Sequence, residues 1–436
     1  MNKLKQFFGK FDAHTIEVFR GSGVALVLRA VGAGLAFLLN IVIGRLLGAE
    51  GAGLYFLALS VTSIMAVIAK LGLDNTLLRF IASGRAHNDW GQVKGVFNTG
   101  MRIAGITSFA AAGVILLMAP WIADSVFSEP DLTAPLRWMS VGIFSFAMMT
   151  LLAESLKGLK RIRDAMLVSG VIYPAVALVI IWPLVGIIGA SGAALAYAFG
   201  TGVGAVIGLL MWKRATRMKG SATEFDKSVL WASARPLWLM SIINRAVLPW
   251  APLFLLGVWS TAEDVGIFGA ATRVALLVSF FLMAVNTVIA PKFAELYAVD
   301  DIEAIGRLSR IFALLTTVAT GPLFLLLILE GDTVMGLFGP EFSKGGAALA
   351  ILAIGQIVNT ASGSVAYLLM MTGNEKDVMI ASVYSVLTLV FAGMFLIPQM
   401  GLMGAAITAA ISVVVMNVVG VIYVRLRMGV WVVGKI

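Results

Sequence analysis

The sequence predicts an all-α polytopic membrane protein, with twelve transmembrane helices arranged as two parallel-related six-helix lobes. Three observations predict it. The 436 residues are 60% hydrophobic and only 13% charged; apolar runs of the roughly 20 residues that cross a bilayer recur from end to end; and the second half repeats motifs of the first. Lipid offers no hydrogen bonds to bare backbone, so long apolar runs without strand alternation mean helices. That composition excludes a water-soluble enzyme. The absence of cysteine excludes disulfides, thiol catalysis and cysteine-ligated metal, and no cofactor is expected.

Taken in order, the first lobe covers 22–212, with spans near 22–47, 52–81, 96–122, 132–156, 164–186 and 189–212. The second covers 229–425, with spans near 229–259, 265–297, 307–330, 344–371, 376–398 and 401–425. Residues 1–21 place Phe7, Phe8, Phe11, Ile16 and Phe19 among lysines, the pattern of a short helix lying on a membrane surface. No small-residue cleavage site precedes the first span, so a cleaved signal is not expected. The basic stretch 213–228 reads as the linker between lobes, and 426–436 as a tail.

Orientation follows from lysine and arginine in the short loops. One side collects Lys3, Lys5, Lys10, Arg20, Arg85, Lys94, "KGLKRIRDA" (157–165), "KRATRMKG" (213–220), Arg307, Arg310, Lys376, Arg425 and Arg427. The other offers little beyond Arg137 and Lys344, and carries Glu50, Asp124, Glu129, Asp131, Glu263, Asp264, Asp332 and Glu341. Both termini are therefore expected in the cytoplasm, in a cell inner membrane. The net charge of +9 is mostly this asymmetry, and nucleic acid is not implied.

The repeat is visible in "GAEGAGLYFLA" (48–58) against "TAEDVGIFGAA" (261–271), which pairs Ala49-Glu50 with Ala262-Glu263 and Gly53 with Gly266. With the same shift, Gly44 meets Gly257 and Arg79-Phe80 meets Lys292-Phe293. "GASGAALAYA" (189–198) aligns with "GLMGAAITAA" (401–410) at a near-identical shift. Six is even, so both halves start on the same side and are parallel repeats about an axis along the membrane normal. Transporters of that build bind between the halves near the midplane and rock one against the other.

"GRLLGAEGAGLYFLALSV" (44–61), "LGLDNTLLRFIA" (71–82), "FGPEFSKGGAALAILAIGQ" (338–356) and the two "G..GAA" helix starts resemble the polysaccharide and O-antigen flippases of the multidrug, oligosaccharidyl-lipid and polysaccharide exporter superfamily. The resemblance covers nearly the whole chain. It implies a V-shaped pair of six-helix lobes around a central cavity. The implied partners are membrane lipids and a lipid-linked oligosaccharide with an anionic pyrophosphate, moved from the inner to the outer leaflet. Polysaccharide polymerase or assembly proteins are further implied partners. No catalytic residue comes with the resemblance.

Charges inside the spans carry the rest. Arg29 and Arg45 lie roughly 24 Å apart along one helix, within a hydrocarbon core about 30 Å thick. Arg29 could snorkel to headgroups. The stripe Arg29, Ala33, Ala36, Asn40 and Gly44 is small and polar, however, while Val31, Leu35, Leu38, Val42 and Leu46 form a bulky face suited to lipid. Arg29 and Asn40 are therefore read as inward. Arg245 lies roughly 15 Å deeper than Arg235, beside Asn244 and before Pro249 and Pro252, which remove backbone donors and bend the helix. A charge at such depth costs about 2.5 to 3.5 kcal/mol, so it lines a wet path or meets a partner. Arg273, sharing a side with Gly266, Gly269 and Thr272, is also read as inward.

Asp74 stands one turn from Lys70, a spacing that favours a neutralising pair over an ion-coupling role; Lys292 and Glu295 occupy the matching end of the second lobe, and Glu154 is read as interfacial. Guanidinium binds phosphate bidentately, so Arg29, Arg245 and Arg273, with Asn40 and Asn244, suit a pyrophosphate headgroup. The glycan would meet small and aromatic groups such as Tyr55, Asn286, Gln356 and Asn359. A MATE-like exporter of organic cations is the rival reading, and it wants inward carboxylates, Asp74 first. An enzyme would need a carboxylate or histidine constellation, and the chain has only His14 and His87.

Overall fold

The computed structural model describes residues 13–217 and 220–432. The surface helix read in residues 1–21 falls mostly outside them, as do Phe7, Phe8 and Phe11, and the tail is described to residue 432. Every regular element among the described residues is helical.

Ten helical stretches are long and apolar enough to cross a membrane. Two of them hold two spans each. The stretch Ala13–Ala69 has positive φ at Gly48, and Glu375–Met428 has it at Gly401. Only glycine takes that conformation at little cost. At Gly401 the chain doubles back, because a Cβ on Gly404 would lie 2.2 Å from the Leu396 carbonyl oxygen. In a straight helix those residues stand about 12 Å apart. Gly189 and Gly192 make the same reversal one repeat earlier, with a Cβ on Gly192 at 2.3 Å from the Leu184 oxygen.

Division at these glycines gives twelve spans. In the first lobe, α1 (13–47) and α2 (49–69) are the arms of Ala13–Ala69, followed by α3 (Trp90–Trp121), α4 (Thr133–Gly158), α5 (Ile162–Ile188) and α6 (Ala190–Thr216). In the second, α7 (Lys227–Trp259) and α8 (Ala262–Ala275, continued by Phe280–Ala298) precede α9 (Ile302–Leu329) and α10 (Pro340–Met371). The arms of Glu375–Met428 are α11 (375–400) and α12 (402–428).

Three departures from unbroken helix do not show in the apolar pattern. After α2, the turn at Leu71 and Gly72 re-aims the chain into Leu73–Ala86. In α7 a π-helical turn, Ile242–Val247, precedes Pro249, so the bend expected from the prolines begins before them. Inside α10 the helix stops at Ala361 and resumes at Val365, around a positive φ at Gly363.

Large apolar side chains cover the outside. Leu117, Val179 and Ile187 are each more than three-quarters exposed (81%, 78% and 78%), the inverse of a soluble surface and the outward face expected in lipid. The interior is one large cluster running through α2, α4, α6, α8 and α10, with two smaller clusters in the first lobe and one in the second.

Candidate functional site

The lobes meet along a seam that starts where α2 and α8 begin, at the end carrying the acidic loops. There the packing is backbone to backbone. A Cβ on Gly53 would sit 1.7 Å from the Ala262 carbonyl oxygen, and one on Gly266 would sit 1.9 Å from that of Ala49. These pairs are one contact seen twice, since 262 is 49 plus 213 and 266 is 53 plus 213. Two carboxylates repeat the arrangement. Glu341 accepts from the Ala49 backbone N–H at 2.8 Å, and Glu129 from that of Ala262 at 3.0 Å. Each lobe thus supplies an acceptor for an unpaired N–H at the start of the other lobe's helix, where the helix dipole favours negative charge. Phe127 meets Phe254, and Phe338 meets Phe37, edge to face across the seam.

Further along the seam lies Arg273. Its guanidinium carbon sits 3.9 Å from the ring centre of Phe56 in the opposite lobe, and Nη1 donates to the Gly269 carbonyl at 2.7 Å. Gly269 admits the ring, since a Cβ there would come 2.4 Å from Phe56. Stacking on an aromatic face leaves the edge of a guanidinium free to donate. The seam thus receives Arg273, as its helical face predicts.

Towards the basic end, α7 of the second lobe crosses the end of α2. A Cβ on Gly72 would lie 2.6 Å from the Ala234 carbonyl oxygen, and Trp238 Nε1 donates to the Ile68 carbonyl at 3.0 Å. Here a buried ion cluster forms. Asp74 Oδ2 accepts from Lys70 Nζ at 2.9 Å and from Arg245 Nη1 at 2.8 Å. The local pair expected from the spacing is present, and it gains a third member 171 residues away. Asp74 Oδ1 has no partner among the described residues. The side chains of Lys70 and Asp74 are 4% and 2% exposed, against 45% for Arg245. Two cations share one carboxylate, leaving a net charge of +1 and a half-exposed guanidinium with donors not used by Asp74.

The remaining expected residues are placed differently. Arg29 is exposed on α1 and has no hydrogen bond or ion pair among the described residues. Its helix sorts its faces only in part: Gly44 packs on Phe338 and Val31 and Leu38 are 46% and 47% exposed, but Val42 and Leu46, expected to face lipid, pack against the core beside the buried Leu39 and Ile43. Asn40 donates to the Ala36 carbonyl within α1. Asn244 is committed inside the second lobe, with Oδ1 accepting from Ser382 and Nδ2 donating to Met240. The structure joins Asp74 to Arg245 and puts Arg273 on the same seam, and it brings neither Arg29 nor Asn244 into contact with them. Phe56, Glu129 and Glu341 are seam residues that the reading by charge and depth passes over. Their signal was the repeat itself, since 129 and 341 stand 212 positions apart. The described residues contain no cluster of three or more metal-ligating side chains.

The model of the polysaccharide biosynthesis protein family matches residues 18–297, well over half of the chain. The chain belongs to this family. Among relatives of this family member is a Haloferax volcanii protein described as "Probable low-salt glycan biosynthesis flippase Agl15", 22% identical over 416 residues, covering 92% of this chain and 82% of the relative. Two solved structures share its fold. One is an inward-facing MATE-family multidrug resistance transporter, with a TM-score of 0.73 and 17% identity over 94% of this chain and 98% of the other. The other is the lipid II flippase MurJ in an inward closed conformation, with a TM-score of 0.72 and 12% identity over 92% and 87%. The family member therefore has the two-lobe, twelve-helix fold of these transporters.

Proposed function

We propose that this protein is a flippase. It carries a polyprenyl-pyrophosphate-linked oligosaccharide from the inner to the outer leaflet of the cell inner membrane, by alternating access through a cationic cavity between the lobes. The basic end is cytoplasmic, as are both termini, and the chain performs no covalent chemistry.

The observation that carries this reading is the sign of the charge along the seam. Arg245 is half-exposed in a cluster whose only carboxylate is shared with Lys70, and Arg273 is the charge on the same seam nearer the acidic end. A guanidinium with unspent donors binds a phosphate oxygen pair more strongly than a point cation does. Arg29 stands on α1 as a further charge for the headgroup to meet on entry. The likeness to a probable glycan biosynthesis flippase of Haloferax volcanii and the family match support the substrate class. An exporter of organic cations needs a carboxylate free to face its cargo, and Asp74 is held by two cations.

The charge on the cargo also supplies a driving force. With the cytoplasm negative, each negative charge moved outward gains about 2.3 kcal/mol per 100 mV, so a pyrophosphate is drawn in the direction of export.

The test is binding of purified protein to a polyprenyl pyrophosphate and to a lipophilic organic cation, for wild type and for Arg29→Gln with Arg245→Gln. The pyrophosphate lipid should bind, and the double substitution should weaken it at least tenfold, about 1.4 kcal/mol. Binding of the cation instead, unchanged by the substitutions, would make the protein a drug exporter.

A further inference from the structure

The two lobes repeat the same order of six spans but differ in one interior region. In the second lobe, α8, α10, α11 and α12 line a partly open cavity of about 180 Å³. Its polar lining is Ser279, Asn286, Asn359, Ser364 and Asn417, together with the Tyr367 side chain. Every one of these groups is neutral.

At the repeat offset of 213, Ser279, Asn286, Asn359 and Ser364 correspond to Ala66, Leu73, Phe146 and Leu151, and at the 212 offset of α6 and α12, Asn417 corresponds to Ala205. All five counterparts are apolar, and all five belong to or pack against the first lobe's hydrophobic clusters. One lobe fills the region with core; the other lines it with amides and hydroxyls. The backbone differs as well. α4 runs unbroken from Thr133 to Gly158, whereas α10 stops around Gly363 beside the cavity. Lining a cavity with five polar side chains, of which Ser279 and Asn286 are buried, and interrupting a helix lowers stability unless the groups find partners, so the second lobe carries a cost that the first avoids.

The hydrogen bonds indicate what the cavity takes. Asn359 Nδ2 donates to Ser279 Oγ, which donates to Gln356 Oε1. Ser364 donates to Asn286 Oδ1, and Asn417 Nδ2 donates to the Val413 carbonyl. Left over are the Nδ2 amide of Asn286 as donor, and the Oδ1 oxygens of Asn359 and Asn417 as acceptors; none has a partner among the described residues. Asn286 is only 8% exposed. An anion would want donors alone, and a metal cation oxygens alone. Spare donors and acceptors together, on an otherwise apolar wall, match hydroxyl groups, each of which both donates and accepts.

We infer that this cavity is a glycan subsite, taking one neutral sugar ring of the carried lipid-linked oligosaccharide. The inference rests on the flippase reading and deepens it: arginines on the seam hold the pyrophosphate, and amides of the second lobe hold the sugar.

The experiment compares polyprenyl pyrophosphate with the same lipid bearing one N-acetylhexosamine, for wild type, Asn286→Leu, which installs the first lobe's residue, and Asn417→Ala, which empties a side chain without filling the cavity. Wild type should bind the glycosylated lipid at least tenfold more tightly than the bare one. Asn286→Leu should bring that ratio close to one, and Asn417→Ala should lower it at least threefold, each with the bare lipid's Kd unchanged within twofold. A ratio unaltered in a variant that keeps the wild-type thermal midpoint overturns the inference and leaves the flippase reading standing. Should Asn286→Leu fail to fold, Asn417→Ala decides. Tightening of bare-lipid binding by sodium, lost in Asn417→Ala without change in the sugar ratio, would make the cavity a cation site and overturn the inference. If wild type binds neither lipid, the flippase reading fails first and takes the inference with it.

Discussion

At the acidic end of the seam the lobes touch through matched pairs, glycine to carbonyl and glutamate to backbone N–H, each occurring twice by the repeat. At the basic end they touch through a contact with no such twin among the described residues: Gly72 and Ile68 against α7, and one carboxylate shared by Lys70 and Arg245. The first region is mainly backbone packing, supported by the two glutamates and by Arg45, whose Nε donates across the seam to the Leu337 carbonyl at 2.8 Å. The second is a buried ion cluster whose members depend on one another. A transporter that alternates must break one end while the other holds, and contacts of different kinds let a charged cargo act on one end alone. On the proposed function, phosphate oxygens would compete with Asp74 for the Arg245 guanidinium and would have no purchase on the Gly53 and Gly266 contacts.

The sharpest way to break this comparison is Asp74→Asn, which leaves Lys70 buried without a counter-charge. It should destabilise the protein by about 3 to 5 kcal/mol, the range for removing one partner of a buried pair, read as a fall in the thermal midpoint in detergent. Lys70→Met with Asp74→Leu should recover most of that loss, because the one charge left without its partner is Arg245, whose side chain is 45% exposed and can be solvated. A single substitution as harmless as the double one would show that water reaches the cluster.

At the other end, Gly53→Ala and Gly266→Ala each push a methyl group into a carbonyl oxygen, with an expected cost of about 1 to 3 kcal/mol. The diagnostic is equality: two substitutions 213 positions apart should shift the midpoint by the same amount. Unequal shifts would mean that the two contacts, alike in geometry, are held with different slack.

Smallest of all should be Glu129→Gln and Glu341→Gln. Each keeps an acceptor oxygen and loses only the charge facing a helix N-terminus, worth about 0.3 to 1 kcal/mol. Measured at rising salt, the effect should shrink in both variants alike; loss of the N–H acceptor altogether, in Glu129→Ala and Glu341→Ala, should cost more.

Much of this was legible in the residues. Apolar runs and the spacing of 213 gave twelve spans and two lobes, and the four-residue step from Lys70 gave Asp74 its first partner. Arg245 as the second partner was not legible, because an ion pair already satisfied within one helix gives no hint of a third charge from another lobe. Asn244 was read with Arg245 because the two are neighbours in sequence, yet successive helical positions point about 100° apart, and Asn244 turns to Ser382 instead. The break at Gly363 was hidden for another reason: hydropathy stays high through residues 346–371, and hydropathy does not register a change of φ. The second lobe's asparagines stood in view as scattered polar residues. They became a group only once the backbone brought α8, α10 and α12 together.

The matched contact of Gly53 with Ala262 and of Gly266 with Ala49 has a consequence for descent. A contact in which residue i meets j, and j's counterpart meets i's, is the signature of an isologous two-fold interface. A single six-helix chain of either half's plan, inserted twice in the same orientation, could close it with its own copy. In such a homodimer every substitution is made in both subunits at once, so a polar residue useful in one would be forced on the other. In one fused chain that constraint is absent, so one lobe can keep an apolar interior while its sibling carries amides.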